Sequence, residues 1–516
     1  MEGTIDFENE FINLKKGFFD SKKYWIIYLV IVFCSFLCQM NMGNYADPLI
    51  EILTLIVVCV LGVFCISFYW SNYDDNNIYK VAFVIILCFG IVTCLLSPIL
   101  CTPDEVEHFV RAEITSDGVL FPEYKDGSFL TIQSTLDLIE KSKHTWDTGF
   151  DSIDMRSASI FRTDADTSPI NHTPVKYPSA FAQNPFFGYL PQAIGIALAK
   201  LLDLNAIWMV WLGRIFNIVA YSALASYAVK KSPILKIPLI AFACMPLVIF
   251  TSASVSIDAM IAGLSILAVA YFFYMYKSPK GKIDNRDIIK FSIIVILAGL
   301  CKVTCFALIL LLFAVPRDNF DDGKKEIKAI LALIVIGVIA LLWTKFYADP
   351  GFYMSFRTKH YALRGINPGA QINYMLSNLG LTFVTILGLP ANIGSWDGFL
   401  HSKLLNVIYM LFLGAIFFLY PTEKFNKKSR IVTLIICALF FIGTYITFLL
   451  SWTPVGQLSP ILGVQTRYFI PIFALIPFIY GFNHVEFNKQ EVDIYTLVLT
   501  ICFLAAQAIW FAAFVY

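Results

Sequence analysis

The sequence predicts an all-α protein that crosses a membrane many times. Three observations carry that prediction. Hydrophobic residues make up 58% of the 516-residue chain and charged residues only 15%, against about 45–50% and about 25% in a soluble domain. The mean hydropathy is +0.70. The apolar residues fall in runs close to the roughly twenty that span a bilayer as a helix, and Lys and Arg cluster in short segments between alternate runs. These figures exclude an ordinary soluble enzyme and a disordered chain. With a net charge of +1, no global basic field draws nucleic acid to the protein. The bilayer is the partner that composition implies.

The strongest runs are residues 24–40, 49–70, 81–100, 206–227, 234–250, 258–276, 327–343, 404–420, 431–450, 468–482 and 494–515. The first is no cleaved signal peptide, because a charged leader precedes it and no small-residue cleavage site follows. Orientation follows from the basic residues in short loops. Lys15, Lys16, Lys22 and Lys23 place the N-terminus in the cytoplasm. Lys230, Lys231, Lys236, Lys277, Lys280, Lys282, Arg286 and Lys290, with the clusters 317–328 and 424–430, belong on the same side. Three crossings therefore bring the chain outside at Cys101.

The same counting resolves three weaker stretches. Only one crossing fits between the outer loop and Lys230, so residues 186–202 lie in or on the outer leaflet. Residues 288–316 break near Cys301-Lys302 into two short helices, an arrangement tolerated at membrane depth only where it lines a cavity. Residues 375–389 re-enter from outside. The total is about thirteen crossings with the C-terminus outside. The chain divides into a cytoplasmic segment (1–23), three transmembrane helices (24–100), an extracytoplasmic loop with interfacial helices (101–205) and a helical bundle (206–516). Twelve cysteines occur, but no C-x-x-C pair. Most lie inside apolar runs, where a thiol behaves as a small hydrophobe.

Chemistry is expected where the outer loop begins, at Thr102-Pro103-Asp104-Glu105-Val106-Glu107-His108-Phe109-Val110-Arg111. Thr-x-x-Glu with Pro at the next position reads as a capping box, so a helix is predicted from Thr102 to about Gly118. On it Asp104, His108 and Arg111 would share one face, and Glu107 would pair with Arg111 at i+4. Acidic residues favour a helix N-terminus in any case, which explains Glu105 but not the Asp, His and Arg together. A carboxylate held at that interface can act as a general base. Further charges lie in or beside apolar runs, where each is costly: Arg214, Asp258, Lys302, Asp397 and Arg467, with His401 near Asp397. All fall toward the outer side. Three cations and several carboxylates gathered there suit an anionic ligand such as a lipid-linked phosphate. The segment 184–191, rich in Pro and aromatics, turns the chain back to the membrane and can contact a lipid or sugar.

These residues together resemble a bacterial family of multi-pass membrane proteins, domain of unknown function 2142. The resemblance rests on Pro103, Asp104, Glu105, His108, Phe109, Arg111 and Ala112; on 184–189, Arg214 and the Ser-x-Ser-x-Asp string ending at Asp258; and on 299–302, Trp396-Asp397 and Gln465-x-Arg467-Tyr468-x-x-Pro471. It departs from the family pattern at Thr102 and Thr466. The family in turn resembles the C-type (GT-C) glycosyltransferases. That resemblance implies a sugar donor on a polyprenyl-phosphate carrier, an extracytoplasmic glycan or lipid-linked acceptor, and a site on the outer face of the bacterial cytoplasmic membrane. It also implies Asp104 or Glu105 as catalytic base, acting with inversion. His108, Arg111, Arg214, Asp258, Lys302, Trp396, Asp397, Gln465, Arg467 and Tyr468 are the candidate substrate-binding residues. Some GT-C enzymes need a divalent cation. No Asp-x-Asp pair stands close to Asp104, so an obligatory metal is not expected. A transporter of lipid-linked glycans and a non-catalytic envelope scaffold are the competing readings.

Overall fold

The computed structural model describes residues 7–42, 48–74, 76–142, 167–353, 359, 361–388, 403–421, 423–481 and 487–516. Helix α1 (Phe7–Asp20) forms from the charged leader and packs on α3 (Pro48–Ser71), with α2 (Lys22–Met42) between them in sequence. Helix α4 (Ile78–Leu96) then leads to the segment that begins at Thr102. That segment holds α5 (Glu105–Ser116), β1 (Phe129–Ile132), α6 (Gln133–Ser142) and β2 (Pro174–Tyr177). The two strands pair antiparallel, with Phe129 opposite Tyr177 and Ile132 opposite Pro174, so the all-α class gains one small sheet. A satellite core of Val110, Ile114, Phe129 and Ala182 seats α5 on it.

After a 3₁₀ turn at Phe186–Tyr189 come α7 (Leu190–Leu201), α8 (Ile207–Lys231), α9 (Lys236–Ala243), α10 (Pro246–Ser252), α11 (Asp258–Lys277) and α12 (Asn285–Cys301). A 3₁₀ segment, Val303–Ala314, precedes α13 (Lys325–Trp343). The later helices are Pro368–Ser377, Leu379–Gly388, Lys403–Leu419, Lys427–Ser451 and Lys489–Val515. Eight helices among the described residues are long and apolar enough to cross a membrane. The rest of the expected thirteen crossings fall on shorter or broken elements.

Two expected spans are broken where proline interrupts them. Residues 234–250 divide into α9 and α10, because Pro246 cannot donate to a continuing helix and Met245 is extended. The run from Tyr468 divides into Ile470–Phe473 and Ile476–Tyr480, each with a proline in its first turn. The predicted break at Lys302 is present: its backbone is extended (φ −150°, ψ 112°), and the chain resumes as 3₁₀ rather than α-helix. The described part of the stretch 375–389, up to Gly388, falls on two short helices that meet at Asn378.

Most of the buried apolar residues form one continuous core. Helix α7 lies close against α8 because Gly195 faces the Leu212 carbonyl, which a Cβ would approach to 2.3 Å. The basic clusters meet at one end of the bundle. Lys277 pairs with Glu423, the Lys231 ammonium lies over the Tyr274 ring, and the Asn319 amide donates to the carbonyls of Met275 and Tyr276. The segment from Thr102 lies at the opposite end, beside the first turns of α8 and α11. The final residue reaches that end too, where the Tyr516 hydroxyl donates to the Leu96 carbonyl.

Candidate functional site

Two acidic residues adjacent in sequence have opposite fates. Glu105 is fully buried. Its Oε1 accepts from Arg214 Nε at 2.8 Å and from the Val255 amide at 3.0 Å. Its Oε2 accepts from Arg214 Nη2 at 2.8 Å and from the Thr102 amide at 3.2 Å. Arg214 is equally buried, and its remaining N–H groups donate to the carbonyls of Ser97 and Pro98, both at 2.7 Å. This bidentate pair ties α5 to α8 and to the end of α4. Its donors and acceptors are spent on protein, so Glu105 is not placed to act as a base, nor Arg214 to hold a phosphate.

Asp104 lies outside the helix. Only half of the predicted capping box forms: Glu105 reaches back to the Thr102 amide, while the Thr102 hydroxyl is buried without a partner. The α-helix starts at Glu105, and Asp104 takes the left-handed conformation (φ 64°, ψ 4°), which Asp tolerates better than most residues. That conformation aims its carboxylate at Arg467 rather than along α5, so Asp104, His108 and Arg111 do not share a helix face as predicted. The Arg467 guanidinium bridges two carboxylates. One fork nitrogen donates to Asp104; the other donates to Asp258 Oδ2 at 3.0 Å and to the Pro103 carbonyl at 3.3 Å. Asp258, in the first turn of α11, receives support through its own amide, which donates to Ser256 Oγ at 3.1 Å.

Lys302, at the break between α12 and the 3₁₀ segment, lies over the face of Tyr468, with its ammonium 3.3 Å from the ring centroid. Tyr468 stacks on Phe448 at 5.0 Å. Among the described residues Lys302 has no carboxylate within 4.0 Å, whereas Arg467 has two. Four residues from four distant parts of the sequence thus form one cluster: Asp104, Asp258, Lys302 and Arg467. The Arg467 side chain is 6% exposed, but that of Asp104 is 25% exposed. Arg467 Nε and the hydroxyls of Thr304 and Thr466, within two residues of Lys302 or Arg467, are buried without a partner. Buried polar groups are ordinarily satisfied, so Arg467 Nε is a donor of the cluster left over for a polar ligand. Among the described residues no group of three His, Cys, Asp or Glu side chains is arranged to hold a metal ion, and the space between Asp104 and Asp258 is filled by the Arg467 fork.

The other predicted residues support this cluster or stand apart from it. His108 Nδ1 lies 2.7 Å from the Tyr189 hydroxyl, which also accepts from Asn184 Nδ2 at 3.1 Å. Burial pushes the His108 imidazole down to about 4, against the pull of the nearby Asp258 and Asp104. It is therefore neutral at pH 7. Arg111 turns away, donating to the carbonyls of Asn184 at 2.8 Å and Leu120 at 2.9 Å. Glu107 does not pair with Arg111. It accepts from the Tyr177 and Ser179 hydroxyls at 3.0 and 2.8 Å and from the Ala180 amide, because β2 and the turn after it bring three donors to that face. The Gln465 carbonyl accepts from the Tyr468 amide. Trp396, Asp397 and His401 lie outside the described residues.

Sequence reasoning missed Gln192 and Asn217. Asn217 Nδ2 donates to the carbonyls of Ser254 and Ser256 at 2.7 and 2.9 Å, and Gln192 Nε2 donates to that of Ser256 at 3.1 Å. Together they fix the turn that presents Asp258. Asn217 stands one helical step from Arg214, and a polar residue there in an apolar run was the available signal.

No curated protein and no solved structure matches the chain. A family model does, over residues 87–476, a span that contains every residue of the cluster. The chain belongs to the family of predicted membrane proteins designated DUF2142.

Proposed function

We propose that the protein is an integral membrane glycosyltransferase that moves a sugar from a polyprenyl-phosphate donor to an extracytoplasmic glycan or lipid-linked acceptor, with Asp104 as general base. The observation that carries this reading is the Asp104–Arg467–Asp258 bridge with Lys302 beside it. Both carboxylates stay partly exposed, Arg467 is buried, and the half-buried Lys302 has no carboxylate within 4.0 Å among the described residues.

In the reaction, Asp104 accepts the proton of an acceptor hydroxyl. The hydroxyl oxygen bonds to the anomeric carbon from the face opposite the leaving group. The bond from that carbon to the phosphate oxygen breaks, and its electron pair leaves on the phosphate. Inversion follows from the single displacement. The guanidinium offers the phosphate a planar fork and Lys302 a point charge. While Arg467 holds Asp104, a carboxylate oxygen is occupied by the guanidinium. A donor phosphate that competes for the fork frees Asp104 as the leaving group arrives, which couples donor binding to base activation. A positioned base contributes about 10²–10⁴-fold.

The test compares wild type and Asp104→Asn in a deletion strain, with envelope glycans profiled by mass spectrometry. The expected result is a sugar substituent missing from the mutant at wild-type protein levels. A mutant profile equal to wild type, with a changed profile in the deletion, would overturn the catalytic reading in favour of transport or scaffolding.

A further inference from the structure

A groove of about 1080 Å³ lies at the basic end of the bundle, where α11 ends and the helix Lys427–Ser451 begins. Its rim carries Lys277, Lys424, Lys427 and Arg430, and its wall includes Ile431 and Leu434. Lys277 is paired with Glu423. The Arg430 fork is set by the carbonyls of Ile479 and Tyr480. Among the described residues Lys424 and Lys427 have no carboxylate within 4.0 Å. Asn426 caps the helix by accepting from the Lys428 amide at 2.8 Å, so the positive end of a 25-residue helix adds to the same field.

The order of residues along that helix points to the occupant. Lys427, Arg430, Ile431 and Leu434 fall at i, i+3, i+4 and i+7 and so share one face. Cations stand in the first turn. Below them Ile431 is 47% exposed and Leu434 52% exposed. Charge at the rim with open apolar surface leading away from it matches a phosphate headgroup above its acyl chains. The groove is also remote from the candidate site: Arg430 and Phe448 are separated by roughly 27 Å along the helix at about 1.5 Å per residue. We infer that this groove binds an anionic phospholipid of the leaflet opposite the candidate site, independently of the transferase reading. Basic pockets between membrane helices on the cytoplasmic side are suited to such headgroups.

The test uses the full chain purified in detergent. Its Tm is measured with phosphatidylglycerol, phosphatidylcholine or inorganic phosphate added. Phosphatidylglycerol is expected to raise the Tm in a concentration-dependent way, and the other two to leave it unchanged. The Lys424→Gln, Lys427→Gln variant is expected to bind phosphatidylglycerol at least tenfold more weakly while keeping the wild-type Tm in phosphatidylcholine. The single variant Lys424→Gln, with bound lipid counted by native mass spectrometry, gives the same reading if the double variant is poorly folded. Equal shifts from both phospholipids, a shift from inorganic phosphate alone, or full phosphatidylglycerol binding by the charge-removed variants would overturn the inference.

Discussion

Replacing Glu105 by Gln should unfold the protein rather than merely inactivate it. The carboxylate accepts four hydrogen bonds, two from Arg214 and one each from the Val255 and Thr102 amides, at 2.8–3.2 Å. Both side chains of the pair are fully buried. A glutamine keeps one acceptor oxygen and sets an NH₂ donor against donors already in place. It also leaves the Arg214 charge without its counter-ion. Removing one partner of a buried ion pair costs about 3–5 kcal/mol, and each orphaned donor adds about 1–3 kcal/mol. Against a total stability of roughly 5–15 kcal/mol, that loss removes most of the folded population. Detergent-solubilised wild type and Glu105→Gln, compared by size-exclusion profile and thermal melting, should differ in monodisperse yield and by many degrees in Tm. The Glu105→Leu, Arg214→Met variant should regain much of that loss, since an apolar pair of similar volume often replaces a buried ion pair without penalty. A Glu105→Gln protein that melts with wild type would refute the structural role given to Glu105 and return it to candidacy as the base.

Asp104→Asn, by contrast, should melt within a few degrees of wild type, because its side chain is partly exposed, while transfer falls at least about 100-fold. Arg467→Lys keeps the charge but loses the fork; its KM for a lipid-linked donor should rise about tenfold or more, and an unchanged KM would take Arg467 out of the phosphate site. Stability should fall as pH drops from about 6.5 toward 4. His108 is held neutral in the folded protein down to about 4, whereas the unfolded chain takes up its proton near 6.5. The folded state then binds fewer protons across that window, a loss reaching about 3 kcal/mol. The His108→Gln protein should lack that slope in melting against pH. Gly195→Ala should cost about 1–3 kcal/mol, since its Cβ would meet backbone at Leu212. Gly213→Ala, whose Cβ would meet a side chain at 3.4 Å, should be nearly neutral in the same melt.

Much of this architecture was legible because bilayer physics writes long apolar runs and one-sided basic loops into sequence. The charge count alone required a break at Lys302, and the chain breaks there. It also grouped the clusters near residues 230, 277, 317 and 424 on one side, and side-chain contacts bring them together. Proline breaks were visible at Pro246 and Pro477 but were outweighed by hydropathy averaged over the run. What sequence could not show was pairing. Asp104, Asp258, Lys302 and Arg467 each read as a costly charge near the membrane, and their convergence depends on the packing of four separate segments. Arg214 read the same way, yet it serves Glu105, and no one-dimensional pattern distinguishes a cation that holds the fold from one that holds a ligand.

The division of labour between the two adjacent carboxylates has a geometric cause. Arg214 and the Val255 amide capture Glu105, and Glu105 in turn bonds the Thr102 amide. That capture fixes residues 102–105 as a turn and delays the helix to Glu105. Of the two central residues of that turn, Pro103 is held to negative φ and Asp104 takes the positive φ. Its carboxylate is thereby thrown outward from α5, toward Arg467 on a segment more than 350 residues later. A full capping box at Thr102 would instead have placed Asp104 within the first turn of α5, lying along that helix. The buried pair is thus the device that presents the partly exposed acid. Conservative changes at Glu105 and Arg214 should therefore abolish activity without either residue touching a substrate. Any Glu105 or Arg214 variant that folds should show a displaced Asp104–Arg467 contact, and one that folds with that contact intact would break the link between the two pairs.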